Sequence, residues 1–213
     1  SMSSYPRLPP SAHDDLGAGA IGKSSFTTDQ AAKHITRENL RFHDRNSDQK
    51  MDVSYTVDKS FSAQQQRRVH QAVQAWQDVA NLNFREQPGE ADGTVSINNN
   101  TRGDRGVATS PNRSTTRTSA TIGTRGAGVA PALNSHFSVT AVHEIGHAIG
   151  LQHPGRYNGG GADYKSGAEY AEDTVARTVM SYWSERNQPG HDFQSRSPSA
   201  PMMDDIAAVQ RLY

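Results

Sequence analysis

The chain has 213 residues, which at roughly 150 residues per domain allows one compact domain with an irregular appendage. Its 22 basic and 22 acidic side chains cancel, which removes the overall charge footprint of a nucleic-acid or anionic-membrane binder. With no cysteine there is no disulfide framework, thiolate zinc site or cysteine nucleophile, so any metal must be held by His, carboxylate or Tyr.

Residues 1–27 carry three prolines and glycine pairs without apolar period, and read as an irregular arm. No apolar run reaches the ~18 residues of a membrane span, and the start lacks the basic and apolar stretches of a secretory signal. A short amphipathic helix is predicted from Thr28 to Leu40, and Met51 to Val57 alternates with the period of a half-buried strand. At Ser62, with Gln65 three residues on, a capping box opens a long helix whose Val69, Ala72, Val73, Trp76 and Ala80 recur at helical spacing and pack on a sheet. Short strands are predicted around Gly93–Ile97, Gly106–Ser110 and Thr118–Gly123. A second helix spans about Ser138–Ile149 and stops at Gly150, where glycine takes the left-handed conformation that ends helices. A Gly- and Tyr-rich loop follows from Pro154 to Arg177, and Met202–Leu212 closes the chain as an amphipathic helix.

The chemistry concentrates in the second helix and its exit, where His143, Glu144, His147, Gly150 and His153 fill every fixed place of H-E-x-x-H-x-x-G-x-x-H. At about 100° per residue, His147 lies about 40° and Glu144 about 100° round from His143, while Val142, Ile145 and Ile149 fall opposite. Two imidazoles one turn apart reach one ion, and Gly150 lets the chain reverse so that His153 arrives as a third ligand. Three nitrogen ligands leave a coordination position open, the arrangement of catalytic rather than structural zinc, and such an ion lowers the pKa of its water to about 7. Glu144 stands where it can accept that water's proton and later pass it to a leaving amine.

The eleven-residue motif resembles that of the metzincin metalloproteases, and Pro154, Gly155, Tyr157 and Asn158 after the third histidine resemble the serralysins. In TVMSYW, Met180 stands where metzincins carry the methionine of the tight turn beneath the metal, and Tyr182 matches the serralysin tyrosine ligand. The likeness continues through TTDQAAKHITRE, FSAQQQ, YAEDT and DDIAAVQRLY. It implies an α+β, zincin-like fold with a twisted, mixed five-stranded sheet on long helices and a small C-terminal part. The division would be an arm at 1–27 and a protease domain at 28–213, split into 28–150 and 151–213. It also implies one catalytic Zn²⁺ on His143, His147, His153 and Tyr182. Tyr182 would swing away to hydrogen-bond the oxyanion, while Gly150 and Met180 support the site. An extended peptide would lie along an edge strand, here Arg105, Gly106, Val107, Ala108 and Thr109. The expected activity is endopeptidase hydrolysis of protein or peptide substrates by a zinc-bound water that Glu144 activates. The expected protein is a monomer, secreted from a bacterium without a classical signal or delivered into another cell as a virulence factor, and open to a proteinaceous inhibitor. The alternative is a catalytically impaired, zinc-dependent protein-binding module.

Four features depart from the pattern or distract from it. Arg156 stands where serralysins commonly have Asp, and Pro111–Arg117 is short and rich in arginine. Serralysins typically continue past the final LY into calcium-binding repeats, and nothing in this sequence resembles those, so Ca²⁺ is not implied. Gly17–Ser24 matches the phosphate-loop pattern, but Pro6, Pro9 and Pro10 occupy the stretch where the apolar strand feeding such a loop would lie.

Overall fold

A computed structural model describes residues 22–87, 92–188 and 199–213. The elements follow in chain order as α1 (Thr28–Ile35), β1 (Asp52–Val57), α2 (Ala63–Gln77), β2 (Asn83–Glu86), β3 (Gly93–Asn100), β4 (Gly106–Ala108), β5 (Arg117–Gly123), α3 (His136–Ile149), the single turn α4 (Tyr164–Gly167), a 3-10 turn at Glu185–Asn187 and α5 (Met203–Leu212). The sheet order is β2-β1-β3-β5-β4, with β1, β2, β3 and β5 parallel and β4 antiparallel to β5 on the open edge. The mixed five-stranded sheet and the two long helices are those expected. Most of the arm predicted at 1–27, and most of the phosphate-loop match at 17–24, lies outside the described residues.

Local chemistry sets the helix starts. Ser62 accepts from the Gln65 amide at 3.1 Å while the Gln65 side chain takes the Ser62 amide at 2.8 Å, so two of the donors a helix start leaves unpaired satisfy each other. Thr27 and Gln30 do the same for α1 at 3.2 and 2.8 Å. Ser135 caps α3, accepting from the Ser138 amide at 3.3 Å.

Several elements differ from expectation. The first helix ends at Ile35 rather than Leu40, because the Ile35 carbonyl accepts from the Gln152 amide at 2.9 Å and Asn39 turns left-handed at φ 51°. Tertiary contact there overrides an amphipathic pattern. Strand β4 stops at Ala108, with Thr109 still donating to the Ser119 carbonyl at 2.9 Å. Strand β2 had no signal, since only Phe84 of its four residues is even half-buried; its pairing with Asp52–Tyr55 forms it.

One apolar core joins β1, β3 and β5 to α2, α3, α1 and α5. Val53, Val95, Ile97 and Ile122 supply the sheet face, and Trp76 on α2 is fully buried against α3, its indole N–H donating to the Val142 carbonyl at 3.0 Å. Helix α2 therefore packs mainly on α3 and less on the sheet. At the chain end, Tyr213 donates its hydroxyl to the Ile149 carbonyl at 2.6 Å and accepts from the Phe42 amide at 2.8 Å, tying α5 to the exit of α3. No helix among the described residues is long and apolar enough to cross a membrane.

Candidate active site

Helix α3 presents His143 and His147 on its half-exposed side while Ala141, Val142, Ile145, Ala148 and Ile149 face the core. Gly150 ends it at φ 123°, a conformation that L side chains rarely adopt, and a Cβ there would also strike the Leu40 carbonyl oxygen. The reversal brings His153 back to the helix. Val139, one turn before His143 on the same face, is half-buried and lines a cavity of the active-site cleft.

His153 Nε2 lies 3.2 Å from His143 Nε2 and 2.9 Å from His147 Nε2. The three Nδ1 atoms face backbone carbonyls: Val179 for His143 at 2.8 Å, Leu151 for His147 at 2.8 Å and Tyr157 for His153 at 2.9 Å. A carbonyl only accepts, so each Nδ1 carries the proton and each Nε2 turns a lone pair toward the same point. Burial holds all three imidazoles neutral: it lowers His143, takes His147 well below its ordinary range, and with neighbouring His143 brings His153 to about 3. Three lone pairs facing one another repel unless a cation sits between them. Tetrahedral zinc with Zn–N bonds near 2.0–2.1 Å would set its nitrogens ~3.3 Å apart, so the donor set fits that ion with little adjustment.

Glu144 is buried beneath β4, and a Cβ on Gly106 would come within 2.5 Å of its Cγ and Oε2. Only glycine at 106 lets the edge strand pass this close, and burial pushes the Glu144 carboxyl up to about 7. The Tyr182 ring centroid stands 4.6 Å from that of His153 and 5.9 Å from that of His143, and its hydroxyl accepts from the Gly159 amide at 3.2 Å. Met180 is fully buried under α3, with its sulfur 2.8 Å from where a Cβ on Gly146 would lie. The glycine inside the motif thus makes room for the methionine beneath it.

Two cavities open on this centre. One of about 390 Å³ is lined by Val107, Ala108, His147, His153, Arg156 and Arg37; another of about 460 Å³ is lined by Arg105, Val139, Thr140, Val175, Val179 and Tyr182. Gly106, His143, Glu144 and Tyr182 border both. Strand β4 therefore forms the rim of the cleft, with Val107 65% exposed on it.

The protein families agree with this geometry. Residues 95–200 match the Reprolysin-like metallo-peptidase family M12B. The metallopeptidase AprA of Pseudomonas marginalis is 36% identical across 90% of this chain and 46% of its own length, and serralysin C of Dickeya chrysanthemi is 36% identical across 94% and 47%. The chain is a serralysin-like metzincin domain. It spans about half the length of the curated relatives it matches. Among solved structures, myroilysin aligns over 82% of this serralysin-like domain and 97% of its own chain, with a TM-score of 0.49 and 18% identity.

Sequence reasoning missed the carboxylates behind the serralysin-like site. The Tyr157 hydroxyl donates to both oxygens of buried Asp173 at 3.0 Å, and buried Asp205 on α5 accepts from Thr178 Oγ1 at 2.6 Å and the Val179 amide at 2.8 Å. Both aspartates lie inside stretches that carried the family likeness, YAEDT and DDIAAVQRLY, but spacing alone marks neither as part of the centre. Elsewhere, Asp44, Asp48 and Asp92 bring one carboxylate oxygen each within 4.8 Å of one another on the loop before β1 and the start of β3.

Proposed function

We propose that this domain is a zinc-dependent endopeptidase of the serralysin type, with His143, His147 and His153 as the zinc ligands and Glu144 as the proton carrier. The observation that carries the reading is the convergence of three neutral Nε2 lone pairs with Glu144 one residue round on the same helix. Zinc held there would act as a Lewis acid, drawing the ionisation of a water toward about pH 7 and withdrawing charge from a peptide carbonyl.

The chain's own groups do the rest. The Glu144 carboxylate takes a proton from the attacking water at Oε and returns it to the departing nitrogen, a transfer commonly worth about 10²–10⁴ in rate. The Tyr182 hydroxyl, at the edge of the centre, donates to the oxygen on which negative charge grows. An extended peptide pairs with the free edge of β4 over Arg105, Gly106, Val107, Ala108 and Thr109, so that backbone bonds supply affinity and the two cavities take side chains. Gly150 and Met180 shape the support beneath. By the serralysin likeness the substrates are proteins met outside the producing cell.

Casein hydrolysis by the zinc-loaded protein, beside Glu144→Ala brought to the same zinc content, tests this. Loss of at least about 10²-fold with zinc retained is expected. A wild type that holds one zinc and cuts nothing would overturn the reading in favour of a protein-binding module.

A further inference from the structure

We propose that Asp205, on the last helix and outside the metal-binding motif, is a positioning residue for the metal centre that sets the orientation of His143 through a single peptide unit. The inference rests on the endopeptidase reading above only for its effect on turnover.

That peptide joins Val179 to Met180. Its carbonyl accepts from His143 Nδ1 at 2.8 Å, and its amide, on Met180, donates to Thr178 Oγ1 at 3.0 Å. The N–H and C=O of a trans peptide point in opposite directions, so anchoring the amide aims the carbonyl. Thr178 Oγ1 then donates its proton to Asp205 Oδ1 at 2.6 Å, while Asp205 Oδ2 accepts from the amides of Val179 and Met202, both at 2.8 Å. One fully buried carboxylate thus fixes the peptides on both sides of Val179 and ties them to the start of α5. The relay ends at the imidazole, where the carbonyl selects the tautomer that leaves Nε2 free for the ion.

Asp204 is the natural contrast. It is equally buried and one residue away, but faces Arg177 at 3.6 Å and has no part in this relay. If burying any carboxylate in α5 were all that mattered, the two positions would behave alike.

Asparagine at 205 keeps the shape but turns one acceptor into a donor. Its single oxygen can serve the Val179 and Met202 amides, leaving an NH₂ opposite a hydroxyl that needs an acceptor. The experiment compares Asp205→Asn, Asp204→Asn and wild type for zinc affinity by chelator competition, the visible absorption of the Co²⁺-loaded protein, and the separate values of kcat and KM. For Asp205→Asn the expected result is zinc binding weakened about tenfold, a shifted Co²⁺ spectrum and a lower kcat with KM within about twofold. Asp204→Asn is expected to lower the melting temperature but leave affinity, spectrum and kcat in place. Thr178→Val, which cuts the relay while leaving the carboxylate its two amide donors, is expected to repeat the affinity loss in smaller measure and serves if Asp205→Asn does not fold.

Wild-type affinity and spectrum in folded Asp205→Asn, or in Thr178→Val where that variant stands in, would overturn the proposal. Equal changes in Asp204→Asn would overturn it too. If the wild type binds zinc but hydrolyses nothing, the endopeptidase reading fails, yet affinity and spectrum still decide the role of Asp205.

Discussion

Helix α3 reaches the metal centre from one side and residues 151–182 from the other, and the two are held by different forces. On the helix side the support is apolar: Val142, Ile145 and Ile149 are buried, and Trp76 and Met180 close over Gly146. On the loop side it is polar. Glu172, Asp173, Thr174, Arg177, Thr178 and Ser181 are all buried, and even the strap before α1 joins them, with Phe26 donating its amide to Glu172 at 2.7 Å and stacking on Tyr170 at 4.3 Å. Apolar contact is tolerant of small shifts, whereas a buried hydrogen bond fixes direction and costs heavily when one partner is lost. A helix already places His143 and His147 one turn apart; a loop has no such regularity, and aiming His153 and the Val179 carbonyl falls to directional bonds.

The largest break in this comparison is expected from Trp76→Ala, which removes the side chain wedged between α2 and α3. A loss of about 3–5 kcal/mol in unfolding free energy, read from urea denaturation, is expected for so large a cavity. A loss of under about 1 kcal/mol would show that the apolar side is not what holds the helix pair together.

The same division decides what could be read from the sequence. Periodicity marked β1, α2, β5 and α3 because their buried faces recur every two or three to four residues. The histidine motif was legible for the same reason, since its spacing is the helix's own period plus a glycine stop. Strand β2 escaped because NFRE buries no full face and exists only by pairing with β1. Asp173 and Asp205 escaped because a polar network leaves no period: Asp205 meets Thr178 across 27 positions and Asp173 meets Tyr157 across 16. In a sequence, such residues look like any surface aspartate.

A smaller effect on the polar side is expected from Tyr157→Phe. The variant keeps the ring stacked on His153 at 5.2 Å and keeps the backbone carbonyl that accepts from His153 Nδ1, but deprives buried Asp173 of its phenol donor. A cost of about 1–3 kcal/mol is expected from the buried carboxyl group that loses this partner. Combining Tyr157→Phe with Asp173→Asn should give a loss well short of the sum of the two singles, because both remove one interaction. Strict additivity in the thermal denaturation of the four proteins would show that the pair does not couple.

The smallest effect should appear only as a slope against pH. Burial, opposed by hydrogen bonds from Ser181 and Tyr157, pushes the Asp173 carboxyl from its ordinary 3.8 up to about 7. Between those values the folded chain keeps a proton that the unfolded chain has released, so this group makes stability fall as pH rises through the window and adds no further change above it. Asparagine has nothing to titrate there. Compared with the wild type, both stripped of metal so that histidine ligation does not enter, Asp173→Asn should therefore gain ground steadily from pH 4 to pH 7 and hold level beyond. Urea midpoints at unit steps of pH give the difference directly. A flat difference would mean that the phenol of Tyr157 holds Asp173 ionised across the range, and the loop side of the centre would then rest on a buried charge rather than on a buried acid.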